Sequence, residues 1–137
     1  MKNTMNKLSM HAHWLLRAAL AAVFLFHGAE KLMNLQATAD MMQMPFIVTT
    51  LVACAEFFGG LFVLVGGFTK DIVTRVGGAF ISIVMLGAFA LVHVSKGFSM
   101  ANGGFEYVMT LFAIAMFFLL TGNTFGGCDC FKEKGKK

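Results

Sequence analysis

The sequence predicts an all-α integral membrane protein, a bundle of four transmembrane helices. Four apolar runs of about 20 residues fill the chain, the length that crosses a hydrocarbon core of about 30 Å as a helix. Hydrophobic residues make up 58% of the 137 residues and charged ones only 13%, against about 25% charged in ordinary soluble domains. The faces turned away from the few polar residues are Leu, Phe, Val and Ile, where a soluble bundle would carry a polar face at the 3.6-residue period.

The first helix is expected over residues 14–34. Lys2 and Lys7 precede it, as in a secretory signal, but the run ends Phe26-His27-Gly28-Ala29-Glu30 with no A-x-A-like cleavage site, so it is expected to be a retained span. Met33, Met41, Met42 and Met44 come after it. Thioethers select Cu(I), but such a run reads more simply as the apolar face of a short interfacial helix with Met as adaptable filler. The second helix is expected over 46–68, the third over 72–94 and the fourth over 105–121, with a tail over 122–137. Short connections make 1–137 a single domain.

Orientation is set by Lys and Arg, which concentrate on the cytoplasmic side. An even number of spans puts both termini and the turn at Thr69-Lys70 on one side. Of the 11 Lys and Arg, all but Lys31 and Lys96 fall there. Both termini are therefore expected in the cytoplasm and the chain in the inner membrane. The net charge of +4 suits anionic lipid head groups. It is no nucleic-acid signal, because no folded basic face remains once the helices are in lipid.

Ionisable groups inside such runs cost about 3 kcal/mol or more at the bilayer centre, so they face a bundle interior and mark function. The topology puts His27, Glu30 and Lys31 in the outer third of the first helix and Glu56 near the midplane of the second. His93 ends the third helix and Glu106 opens the fourth. Helical phase groups Glu56 with Gly59, Gly60, Val63 and Gly67 on one stripe, and glycine lets membrane helices approach closely. Arg75, Gly78, Ser82, Phe89 and His93 form the expected stripe of the third helix. Asn102, Glu106, Thr110, Ala113, Phe117 and Thr121 form that of the fourth. All are expected to turn inward.

Arg17 and Arg75, near the cytoplasmic edge, read as head-group anchors, and Lys31 as a lysine that snorkels. Glu30 either shares a centre with His27 or pairs with Lys31 at the interface. Carboxylates and histidines on four helices also build di-iron sites, but those need two Glu-x-x-His repeats. This chain offers His27-x-x-Glu30, reversed, so no metal is expected. Cys54 reads as a small apolar residue. Cys128-x-Cys130 is a short thiol motif in a reducing compartment, where a structural disulfide is not expected, although neighbouring lysines favour reactive thiols. No haem ligand pair at matched depth, flavin motif or iron–sulfur spacing is present, and no covalent cofactor is evident.

Several segments together resemble the DoxX family of membrane proteins. Phe26-His27-Gly28-Ala29-Glu30-Lys31-Leu32 is similar to the element closing its first helix. Ala55-Glu56-Phe57-Phe58-Gly59-Gly60-Leu61, followed by Gly66-Gly67-Phe68-Thr69, is similar to its E-x-x-G-G-L element. His93 with Asn102-Gly103-Gly104-Phe105-Glu106-Tyr107 resembles its H…G-x-E pattern. The ending Thr121-Gly122-Asn123-Thr124-Phe125-Gly126 with Asp129 resembles the family's tail without its proline and serine. The resemblance implies a four-helix fold and a role in respiratory or sulfur and thiol redox chemistry, since members include a small membrane subunit of thiosulfate:quinone oxidoreductase.

On that basis the chain is expected to be a subunit or anchor of a quinone-linked oxidoreductase. Glu56, His93 and Glu106 are the expected catalytic residues, and His27, Glu30, Glu56 and His93 the expected quinone-binding ones. Partners would be membrane lipids and either a protein subunit or further copies of the chain. Two other readings stand: a non-catalytic assembly protein that docks a larger enzyme through its glycine seams, and a small transporter or metal handler.

Overall fold

A computed structural model describes residues 11–124, and every regular element in it is helical. Helix α1 spans His13–Met33, the short α2 Leu35–Met42, α3 Phe46–Gly66, α4 Asp71–Ala88 and α5 Glu106–Thr121. The first, third and fifth match three of the four expected helices to within two residues, and the fourth starts one residue before its expected start. Helix α2 is the short helix expected of the Met run. The expected third helix does not run straight to residue 94. After Ala88 it widens into a π-turn over Phe89–His93 and tightens into a 3₁₀ turn over Val94–Lys96. A π-turn adds a residue per turn and so rotates the side chains beyond it about the helix axis. Such turns recur at functional sites.

Two helical segments, Phe46–Gly66 and Asp71–Lys96, are long and apolar enough to cross a membrane, and Glu106–Thr121 is apolar but shorter. Helix α1 is long enough but carries Arg17, His27, Glu30 and Lys31 in its apolar run.

The helices pack in chain order: α1 on α3, α3 on α4 and α4 on α5, with a slighter return from α5 to α1. Glycines set how closely they approach. A Cβ on Gly28 would lie 2.6 Å from the backbone nitrogen of Phe57, and one on Gly78 would lie 2.7 Å from that of Leu119. Backbones this close admit no side chain, so the α1–α3 and α4–α5 seams are built on missing ones. The core between them holds Leu20, Phe24, Val63, Ile81, Met85, Val108, Leu111, Ala115 and Phe118.

The expected stripe of α3 is buried at Glu56, Gly59, Gly60 and Val63. In α4 the buried face is Thr74, Gly77, Gly78, Ile81, Ser82 and Met85, which keeps Gly78 and Ser82 and leaves Arg75 half-buried at its margin. In α5 the expected stripe faces the wrong way. Val108, Leu111, Ala115 and Phe118 are buried, while Thr110, Ala113 and Phe117 are exposed. The hydroxyls explain the error. Thr110 donates to the Glu106 carbonyl at 2.9 Å and Thr121 to the Phe117 carbonyl at 2.7 Å. A hydroxyl satisfied on its own helix needs no partner across a seam.

Candidate functional site

Two clusters of polar side chains sit within this apolar frame. The first lines a cavity of about 540 Å³ walled by α1, α3, α4 and α5, with Met42 from the end of α2 and Met44 from the turn after it. Its walls are mostly aliphatic, from residues such as Val23, Val52, Val84, Leu91 and Leu111, and His27, Lys31, Glu56, His93 and Tyr107 interrupt them. Ile83 and Leu51, on the same walls, are 70% and 65% exposed, so the cavity opens sideways between helices.

Glu56 is 4% exposed and is held by Lys31. The lysine Nζ lies 2.6 Å from Glu56 Oε1 and 2.5 Å from Oε2, across the α1–α3 seam. Lys31 therefore does not snorkel to an interface and does not pair with Glu30. Its side chain is 20% exposed, because the close approach at Gly28, one turn earlier, delivers its stem to Glu56. Taking a carboxylate and an ammonium out of water is costly unless they meet, and in this protein they meet.

His93 ends the π-turn and is half-buried. Its Nδ1 lies 2.6 Å from the carbonyl oxygen of Gly103, so the loop between α4 and α5 fixes the ring. His27 lines the cavity from α1 and stands 3.8 Å from Glu30. Glu30 points outward, its side chain 63% exposed, and is not among the lining residues. Glu106 does not reach the cavity either. It lines a separate open hollow of about 400 Å³ with Phe98, Met100, Tyr107, Met109 and Thr110. The phase of α5 is the cause, since Val108 and Leu111 take the inward positions. Of the expected site residues, the fold thus gathers Glu56, His93 and His27 and leaves Glu30 and Glu106 outside. Tyr107 and Lys31 join them.

The second cluster lies where α1, α3, α4 and the end of α5 meet, and its centre is Arg17. This arginine is no head-group anchor: it is fully buried. Its guanidinium donates to the Val63 carbonyl, to Thr74 Oγ1 at 3.0 Å, to Asn123 Oδ1 at 2.6 Å and to the Gly122 carbonyl at 3.4 Å. It also stacks 4.7 Å from the Phe118 ring centre, where the ring quadrupole favours a cation. Asn123 completes the knot by donating from Nδ2 to the Gly66 carbonyl at 2.8 Å and from its backbone to Asp71 at 2.5 Å.

Arg75 is no anchor for lipid either. It pairs with Asp71 at 2.5 Å and donates to the carbonyls of Leu119 and Leu120 at 3.0 and 2.7 Å, closing the C-terminal turn of α5 as basic side chains do. A guanidinium matches several acceptors at once in a way an ammonium cannot. All of these donors are engaged within the chain, and the cluster works as a clamp. Cys128 and Cys130 lie outside the described residues. Cys54 is a half-buried free thiol in α3, and the described residues hold no group of three or more His, Cys, Asp or Glu placed to bind a metal.

Comparison with known proteins agrees with the family resemblance. The family model for DoxX matches residues 12–94. A Bacillus subtilis (strain 168) protein named "Putative oxidoreductase CatD" is 30% identical over 136 residues, 97% of this chain and 96% of that protein. No solved structure matches the chain. The matched region carries the Lys31–Glu56 pair, Arg17 and His93 alike, and the chain belongs to the DoxX family.

Proposed function

We propose that this chain is a four-helix inner-membrane protein that serves as the quinone-binding subunit or anchor of an oxidoreductase, in sulfur and thiol or respiratory redox chemistry. The observation that carries the reading is the cavity itself. At about 540 Å³ it has the size of small-molecule sites, which are mostly apolar with a few placed polar groups. Aliphatic walls suit a quinone ring and the start of its tail, and the sideways opening suits entry from lipid. Lys31, Glu56 and His93 supply what a ring oxygen needs: an N–H donor, a carboxylate for proton transfer and an imidazole. Both termini face the cytoplasm in this reading, and a protein partner or the substrate itself delivers electrons.

Extraction of the protein purified in mild detergent, followed by mass spectrometry, should recover quinone in stoichiometric amount. The Glu56→Gln variant should retain its helix content and lose quinone reduction in membranes. Absence of quinone from the native extract, together with a fully active variant, would sink the reading. The docking alternative would need a surface other than these seams, because the space beside Gly28, Gly60, Gly77 and Gly78 is filled by the chain's own helices.

A further inference from the structure

The hydrogen bond from His93 to Gly103 decides which way the imidazole is protonated. A carbonyl oxygen accepts hydrogen bonds and cannot donate them. At 2.6 Å from the Gly103 oxygen, His93 Nδ1 must carry the proton, and the Nε2 of the neutral ring is then bare. Among the described residues nothing hydrogen-bonds to Nε2, and the ring lines the cavity.

The loop that presents this carbonyl is firmly built. Gly103 adopts φ 76° and Gly97 φ 82°, left-handed conformations in which other residues are strained. Gly103 N–H donates to Met100 at 2.8 Å, Gly104 N–H to Ser99 at 2.9 Å and Phe105 N–H to Gly97 at 3.1 Å. A Cβ on Gly104 would strike the carbonyls of Gly97, Phe98 and Ser99. The Gly103 oxygen therefore has little freedom to turn away. Second partners of this kind fix the tautomer and the orientation of a functional histidine.

On the same cavity Lys31 gives two of its three N–H groups to Glu56, leaving one to donate. Resting on the quinone-site reading, we infer that the pocket is matched to the reduced ring: a hydroxyl donates to the bare Nε2 of His93 while another ring oxygen accepts from Lys31. An oxidised dione offers only acceptors, and its oxygen would meet the Nε2 lone pair. The ligand class is thus a hydroquinone, or another ring bearing a hydroxyl donor beside an acceptor oxygen, and Gly103 is a positioning residue acting through His93.

Two measurements on the intact protein in detergent test this. Nitrogen NMR of histidine-labelled protein should show one ring with protonated Nδ1 and bare Nε2, assigned to His93 by its loss in His93→Leu. Calorimetric titration with durohydroquinone and with duroquinone should give about tenfold tighter binding of the reduced form, the worth of one good hydrogen bond. The preference should vanish in His93→Leu. A protonated Nε2, or equal affinity for both oxidation states in the native protein, overturns the inference and leaves a quinone site standing. Failure of either ring to bind overturns both.

Discussion

Lys31 and Glu56 form a two-pronged ion pair at 2.6 and 2.5 Å, directly beside the close approach of α1 and α3 at Gly28 and Phe57. The two facts are coupled. Gly28 and Lys31 lie one turn apart on α1, and Phe57, against which Gly28 packs, is the next residue after Glu56. Small-residue packing brings the helices together, and the pair forms because the seam is tight enough for Lys31 to reach across.

Removing one partner of a buried pair leaves the other charge uncompensated and costs about 3–5 kcal/mol. Lys31→Met should therefore lower unfolding stability in detergent by about 3 kcal/mol, toward the low end because the lysine is 20% exposed. Glu56→Gln also leaves the Lys31 charge uncompensated and should cost a similar amount, lessened by the acceptor oxygen that the amide keeps for the ammonium. The double variant Lys31→Met/Glu56→Met should recover most of the loss in Lys31→Met. Additive losses in the double variant would mean that the two groups are not coupled.

Gly28→Ala places a methyl 2.6 Å from the Phe57 nitrogen, and backbone cannot yield as a side-chain tip can. Overpacking of this kind costs about 1–3 kcal/mol. The variant should also weaken ligand binding at the proposed quinone site, because α1 must move away from α3 and take Lys31 with it. Gly87→Ala is the control for stability alone, since Gly87 lines the cavity: its Cβ would meet nothing within 4 Å, and the gain in helix propensity is worth up to about 1 kcal/mol. Equal unfolding midpoints for the two variants would refute the seam argument.

Arg17 separates a clamp from an anchor. A head-group anchor would tolerate lysine, which carries the same charge. The buried fork onto Val63, Thr74 and Asn123 would not, since one ammonium cannot serve three acceptors on three segments with a guanidinium's planar geometry. Arg17→Lys should destabilise by about 2–3 kcal/mol, the cost of leaving buried polar groups unsatisfied, and Asn123→Ala should act in the same direction. Wild-type thermal stability in Arg17→Lys would return the residue to the lipid surface.

The helices and the buried face of α3 are legible in the sequence because they rest on strong signals. Run length marks a helix long enough to span, and a carboxylate in phase with Gly59 and Gly60 in such a run has few places to go but a seam. Lys31 and Arg17 mislead for a common reason. Depth alone suggests an interface for each, and sequence carries no sign of which residue on another helix each will meet. The π-turn that aims His93 leaves no mark either, since Phe89–His93 reads as ordinary apolar helix. The place of Glu106 in the smaller hollow is hidden for another reason, the phase of α5, because its threonines read as polar residues seeking a partner.

That phase is open to direct test. Thr110 is exposed and its hydroxyl is bonded to Glu106 of its own helix, so Thr110→Val should change stability by no more than about 0.5 kcal/mol, as surface substitutions do. Leu111, one residue on, is 7% exposed and belongs to the core, and Leu111→Ala should cost about 2–4 kcal/mol through lost burial and the cavity left behind. Leu111 also lines the larger cavity, so the alanine variant enlarges the proposed quinone site and should change ligand affinity as well. Had α5 turned its Thr110 stripe inward, the order of the two effects would reverse. Chemical denaturation of the two variants in the same detergent therefore decides which face of α5 meets the core, and with it whether Glu106 belongs to the site.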